Sequence, residues 1–216
     1  MDNLENLYRQ CSKDDLKNKN WYVNANLYIG DMSMFFDIPI EKTAGIVSAL
    51  SPACPWKQNI IDAYNFIKAR GKYKPVTYSS QVRKALRILK LRKDRLGQIH
   101  SILNGPKTKC FYHALLRPYG TTPPVIDTHM IKAFLGLPNA DNRDKRVRYY
   151  AKEKNQSVIQ GAIINLAIDL GIHHHALQAI LWSAFKRITD NKVYSNVMPS
   201  FTYLIEAPKR QDAFAF

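Results

Sequence analysis

Acidic side chains are in short supply. Only 17 Asp and Glu stand against 32 Lys and Arg, so the 216-residue chain carries a formal charge of +15 and a pI near 9.7. Such an excess favours a polyanionic partner, nucleic acid first and an acidic membrane surface second. Cysteine is scarce as well. Cys11, Cys54 and Cys110 are odd in number, far apart and form no Cys-x-x-Cys pair, which indicates neither a disulfide framework nor a zinc ribbon. No uninterrupted apolar stretch is long enough to cross a bilayer. Met1-Asp2-Asn3-Leu4-Glu5 has neither the basic region nor the apolar run of a signal peptide, so a cytoplasmic protein with no membrane partner is expected. Repeats and low-complexity tracts are absent too. What is present is a hydrophobic content of 46%, enough for a substantial core in one large domain or two small lobes.

Helical periodicity dominates the chain. Residues 3–17 predict a short polar helix and Trp21 to Phe36 a second with an aromatic-rich face. A third runs from Glu41 to Leu50, with Ala44, Val47, Ala49 and Leu50 mostly inward. The prolines of Ser51-Pro52-Ala53-Cys54-Pro55 interrupt it, and helix resumes from Trp56 to Ala69 before Gly71. Ser79 or Ser80 is expected to cap a basic helix ending at Leu91, which follows a linker containing Pro75. Further helices are predicted from Thr128 to Leu135, closed by Gly136 and Pro138, and over residues 155–170 and 174–188 around Gly171. The segment Pro208 to Phe216 is expected to be peripheral. His173-His174-His175 invites a metal reading. Consecutive helical residues point about 100° apart, however, so the three rings are expected to form a loop and helix start rather than to converge on one ion.

Two segments carry most of the chemistry. In Asn104-Gly105-Pro106-Lys107-Thr108-Lys109, a glycine turn opens into a helix with lysines at its mouth. Glycine lets a phosphate approach the backbone, and free N–H groups at a helix start favour an anion; the same residues also suit an ordinary turn. In Pro124-Val125-Ile126-Asp127-Thr128-His129-Met130, an apolar run delivers one carboxylate to a helix start. An aspartate there is a good N-cap, and capping is compatible with catalysis because it fixes the carboxylate.

Together these segments resemble the helix-hairpin-helix DNA glycosylases. Ile126-Asp127-Thr128-His129 is similar to the family's Val-Asp-x-His signature in spacing and residue type. The hairpin departs from the family in one respect: Leu103 stands where the first of two glycines is usual. Upstream, Ile46 to Ile60 resembles the family's helix–loop–helix, whose loop wedges the duplex or lines the base pocket. Leu177 to Trp182 resembles the helix that completes the catalytic lobe. The likeness covers about residues 20–188 and is closest to small archaeal-type oxoguanine glycosylases and phage-encoded relatives. The cysteine cluster of the iron–sulfur branch is missing.

The resemblance implies an all-α, two-lobed fold: residues 37–125 as one lobe with the hairpin near 99–113, and 1–36 plus 126–216 as the other. It implies a monomer without cofactor that acts on double-stranded or locally unpaired DNA, with the base turned out of the stack. Asp127 would stabilise positive charge on the sugar and activate water or an amine. Lys107 or Lys109 would be the nucleophile of a Schiff base, its amine activated by desolvation beside other cations. Lys107 fits the local Gly-x-Lys-Thr pattern, whereas Lys109 better fits the family's distance to the aspartate unless a short insertion lies between Pro118 and Pro124. Gly105, Thr108, Lys109 and His129 would contact DNA. Ser51, Trp56, Gln58, Asn59, Phe111 and Trp182 are candidates for the wedge or base pocket. The stretch Arg143 to Lys154 would add phosphate affinity, while the basic run Arg83 to Lys93 reads as a solvated helix face. A base-modifying enzyme on the same fold, acting on hypermodified nucleotides, and a non-catalytic DNA-binding module remain open.

Overall fold

The computed structural model describes residues 2–190, and the segment Pro208 to Phe216 lies outside them. The protein is all-α, with no strand among the described residues. In chain order the helices are α1 (Asp2–Arg9), α2 (Lys13–Lys17), α3 (Trp21–Phe36), α4 (Ile40–Leu50), α5 (Trp56–Lys68) and α6 (Ser79–Leu89). After these come α7 (Ile99–Leu103), α8 (Pro106–Leu116), α9 (Thr128–Leu135), α10 (Lys145–Tyr150), α11 (Glu153–Asp169) and α12 (His174–Asp190). None of the described helices is long and apolar enough to cross a membrane.

Local chemistry explains where these bounds differ from expectation. The single helix predicted over residues 3–17 is two helices, because Ser12 forms a capping box. Its Oγ accepts the Asp15 N–H at 3.1 Å, and its own N–H donates to Asp15 Oδ2 at 2.8 Å. Neither Ser79 nor Ser80 caps α6; both are helical, and Tyr78 precedes them without a side-chain cap bond. The helix α9 ends as predicted. Gly136 adopts φ +67°, and a Cβ there would come within 2.9 Å of Asn3 Nδ2, so glycine is required by both backbone and space.

The chain forms two compact units, one of residues 2–23 and 117–190 and the other of residues 24–116. The sequence predicts divisions at 36/37 and 125/126, whereas the boundaries fall inside α3 and after α8. In the first unit α12 is central and packs on α1, α2, α9 and α11. Its core joins Leu4 and Leu7 to Ile126, Met130, Ile159, Ile163, Leu177 and Leu181. A buried polar group crosses it: Arg187 Nε donates to Asp15 Oδ2 at 2.9 Å, and Asn18 Nδ2 donates to Ser183 Oγ at 2.8 Å. In the second unit α4 is central, packed by α5, α6, α7 and α8. Every residue from Thr43 to Leu50 is buried, beyond the inward stripe that periodicity predicts, because neighbours cover all sides. Gly45 makes this possible, since a Cβ there would stand 2.8 Å from Ile99 Cγ2 and 3.2 Å from Ile88 Cγ2.

Candidate functional site

In the first unit, Val125 and Ile126 are buried and anchor the segment that presents Asp127. Asp127 is the N-cap of α9, and its Oδ1 accepts the Met130 N–H at 2.9 Å. Its Oδ2 accepts the indole N–H of Trp182, on α12, at 3.0 Å. The carboxylate is half-buried and held through both oxygens. His129, one of the expected DNA contacts, sets its ring edge-on to Trp182 at 6.0 Å and lies 6.3 Å from the Phe185 ring. Burial pushes its imidazole below the usual histidine range, against the opposing pull of Asp127. Asp127, His129 and Trp182 are thus brought together.

The segment leading to Asp127 is tied down by α11 and α12. Gln160 Nε2 donates to Pro124 O at 3.3 Å. His174 Nε2 lies 2.9 Å from Thr122 O, and the buried His175 ring lies 3.0 Å from both Pro118 O and Thr122 O. Burial pushes His175 down to about 4, against the pull of the Pro118 carbonyl. Here the expectation that three consecutive histidines diverge is corrected: one ring nitrogen from each of His173, His174 and His175 falls within 4.8 Å of the others. The helix begins only at His174, so His173 escapes the 100° helical rotation assumed for all three. The loop and helix start after Gly171 are as predicted, with Gly171 at φ +65°.

Elsewhere in this unit, the expected basic stretch Arg143 to Lys154 contains α10 and runs into the start of α11. Lys145, Arg148, Tyr149, Ala151 and Lys152 line a shallow concavity of about 490 Å³. Arg143 and Arg146 are instead paired with Asp141 and Asp144 at 3.0 and 2.9 Å.

The second unit holds the hairpin, α7 and α8 joined by Asn104 and Gly105. The turn works differently from the glycine argument. Asn104 is the left-handed residue at φ +42°, while Gly105 leaves room for Thr108, whose Oγ1 would stand 3.2 Å from a Cβ. The Thr108 side chain is a turn clip: it is 7% exposed, and its hydroxyl lies 3.2 Å from Leu103 O and 3.0 Å from Gly105 O, so only its backbone amide is left to meet a phosphate. Pro106 has no N–H and the Lys109 N–H bonds Gly105 O at 2.9 Å, which leaves the Lys107 and Thr108 amides as first-turn donors. Lys107 and Lys109 are half-buried, and among the described residues neither makes an ion pair.

The wedge candidates of this unit divide. Trp56 and Phe111 meet edge-on at 6.1 Å, but Phe111 is 8% exposed and serves the core. Asn59 is 1% exposed and donates to Val47 O at 3.1 Å, which corrects it from wedge to helix tie. Ser51 Oγ donates to Ser48 O at 3.0 Å at the end of α4. Gln58 Nε2 donates to Asp62 Oδ1 at 2.8 Å. Sequence reasoning missed Asp62, a fully buried carboxylate that also accepts the Val76 N–H at 2.7 Å and the Tyr73 hydroxyl at 3.2 Å. Burial first, and this carboxylate second, push the Cys54 thiol up to about 11. Its partners are scattered polar residues, so no periodic signal announced it. The apex of the Ser51–Pro55 loop is the exposed Ala53, in the left-handed region at φ +57°.

Asp127 and Trp182 belong to the first unit and Lys107 and Lys109 to the second. No curated protein and no solved structure matches the chain. The chain belongs to a family of unknown function, DUF7178, whose model matches residues 1–191.

Proposed function

We propose that this protein is a DNA glycosylase that removes an altered base, with Asp127 as the catalytic carboxylate. The observation that carries this reading is the double hold on Asp127, capping α9 through one oxygen and bonded by the Trp182 indole through the other. A carboxylate fixed this way costs no reorganisation when charge develops beside it. As the C1′–N bond breaks, its electron pair leaves with the base, positive charge builds on the sugar, and Asp127 stabilises it. Water, or an amine, then adds to C1′ and loses a proton; the amine route continues to a Schiff base. Further support comes from the charge of +15, the two first-turn amides of α8 beside Lys107 and Lys109, and the basic concavity around Arg148.

The test is release of free base from duplexes carrying a panel of altered bases. The expected result is release by the full chain, with affinity for undamaged duplex that falls steeply as salt rises. Steep salt dependence without release from any duplex would leave a binding module. Affinity that is flat between low and physiological salt would remove DNA as the partner.

A further inference from the structure

His175 is 1% exposed, and both of its ring nitrogens face backbone oxygens. Nδ1 lies 3.0 Å from Pro118 O, and Nε2 lies 3.0 Å from Thr122 O. A neutral imidazole carries one N–H, so one of these contacts sets a lone pair against a lone pair unless the ring is protonated or a cation stands between nitrogen and oxygen. The same Thr122 oxygen is 2.9 Å from His174 Nε2, so two imidazole nitrogens converge on it. The third ring is held close: the His175 N–H donates to His173 Nδ1 at 3.2 Å, and the His173 and His174 rings lie 4.1 Å apart. One nitrogen from each of the three rings falls within 4.8 Å of the others. The hydroxyl of the same Thr122 is buried with no hydrogen-bond partner among the described residues.

We propose that His173, His174, His175 and Thr122 form a site for one divalent transition-metal cation, with zinc as the first choice. Imidazole nitrogens select borderline cations of this class over magnesium or calcium, which prefer shells of oxygen. Tetrahedral zinc at about 2.0–2.1 Å from its ligands sets nitrogens roughly 3.4 Å apart, so binding draws the three nitrogens in from their present spread of up to 4.8 Å. A ligating histidine usually donates its other N–H to a carbonyl or carboxylate, and Pro118 O is placed to accept from His175 Nδ1 while Nε2 faces inward. The cation supplies the positive charge that resolves the conflict at Thr122 O. Thr122 offers both its carbonyl and its hydroxyl to the ion or to water upon it. Such a site would clamp residues 118–122 to the start of α12, in the same segment that carries Asp127, and it does not depend on the glycosylase reading.

The test uses the full chain stripped with a chelator and titrated calorimetrically with zinc chloride, alongside His173→Asn and His174→Asn. These two rings are only half-buried, so the variants are chosen in preference to His175, whose loss endangers folding. The expected result is one zinc per chain, affinity at least tenfold weaker in each variant, and a thermal midpoint that zinc raises in the parent protein. X-ray absorption of the bound zinc should show a shell of nitrogen and oxygen. Absence of binding at micromolar zinc, equal affinity in all three proteins, or a sulfur shell would overturn the site. Binding that leaves the thermal midpoint unchanged would overturn the clamp.

Discussion

Trp182 donates its indole N–H to Asp127 Oδ2 at 3.0 Å, while Asp127 Oδ1 takes the Met130 N–H at 2.9 Å. Two helices therefore fix one carboxylate. The cap alone would leave the second oxygen free to turn toward solvent. The indole removes that freedom and makes the side chain a better electrostatic platform than an ordinary N-cap.

Asp127→Asn should abolish base release while leaving DNA affinity near that of the parent. The amide has only one oxygen, so it meets the Met130 N–H or the Trp182 N–H with its own donor, at a cost of about 1–3 kcal/mol in stability. Adding Trp182→Phe removes the indole donor and should recover most of that loss without restoring turnover. A double-mutant cycle on urea midpoints, run beside the base-release assay, separates the two effects. Undiminished release by Asp127→Asn would make Asp127 a cap and nothing more.

The sequence made the bounds of α3 and α9 legible to the residue, and at α9 the Asp127 cap, Gly136 and Pro138 coincide with helical periodicity. It also marked the hairpin and the carboxylate. The partner of that carboxylate was not legible as such. Asp127 and Trp182 are far apart in sequence, and a tryptophan on an apolar helix face reads equally as core. Asp62 and the Asp15–Arg187 pair were invisible for the same reason, since long-range polar contacts leave no periodic trace. The inward turn of the Thr108 side chain was not legible either, since its hydroxyl closes the bend through Leu103 O and Gly105 O.

Glycine positions offer a test of the packing. Alanine at Gly45 would gain helix propensity, but its Cβ would press on Ile99 and Ile88, and overpacking of this kind costs about 1–3 kcal/mol. Gly161, within α11, has nothing within 4 Å of a Cβ, so alanine there should stabilise by roughly 0.5–1 kcal/mol. Urea denaturation should thus give opposite signs for the same chemical change. Equal signs would contradict the close approach of α4 to α6 and α7.

The pH dependence of stability should carry a contribution from His129. Burial chiefly, with Lys186 and Lys132 pushing the same way and Asp127 and Asp190 opposing, lowers its folded-state value below the unfolded one. A depressed value means that the folded protein resists protonation. The contribution is therefore full above the unfolded value of about 6.5 and is lost as pH falls through the folded value. Urea midpoints measured from about pH 7 to 5 should fall less in His129→Gln than in the parent. Parallel curves would show that His129 takes up its proton as readily in the fold as out of it.

Lys107 and Lys109 sit two positions apart on α8, so their side chains leave the helix about 200° apart. They cannot share one task. If Lys107 is the nucleophile, borohydride should trap the enzyme covalently on substrate DNA, and Lys107→Gln should remove the adduct. Lys109→Gln should keep the adduct and weaken duplex binding, with the salt slope reduced by about 0.9 for the lost phosphate contact. The reverse pattern would move the nucleophile to Lys109. Base release with no adduct in any variant would assign the attack to water activated by Asp127. The preference for Lys107 rests on the local Gly-x-Lys-Thr pattern of the hairpin, which Gly105, Lys107 and Thr108 supply at the start of α8.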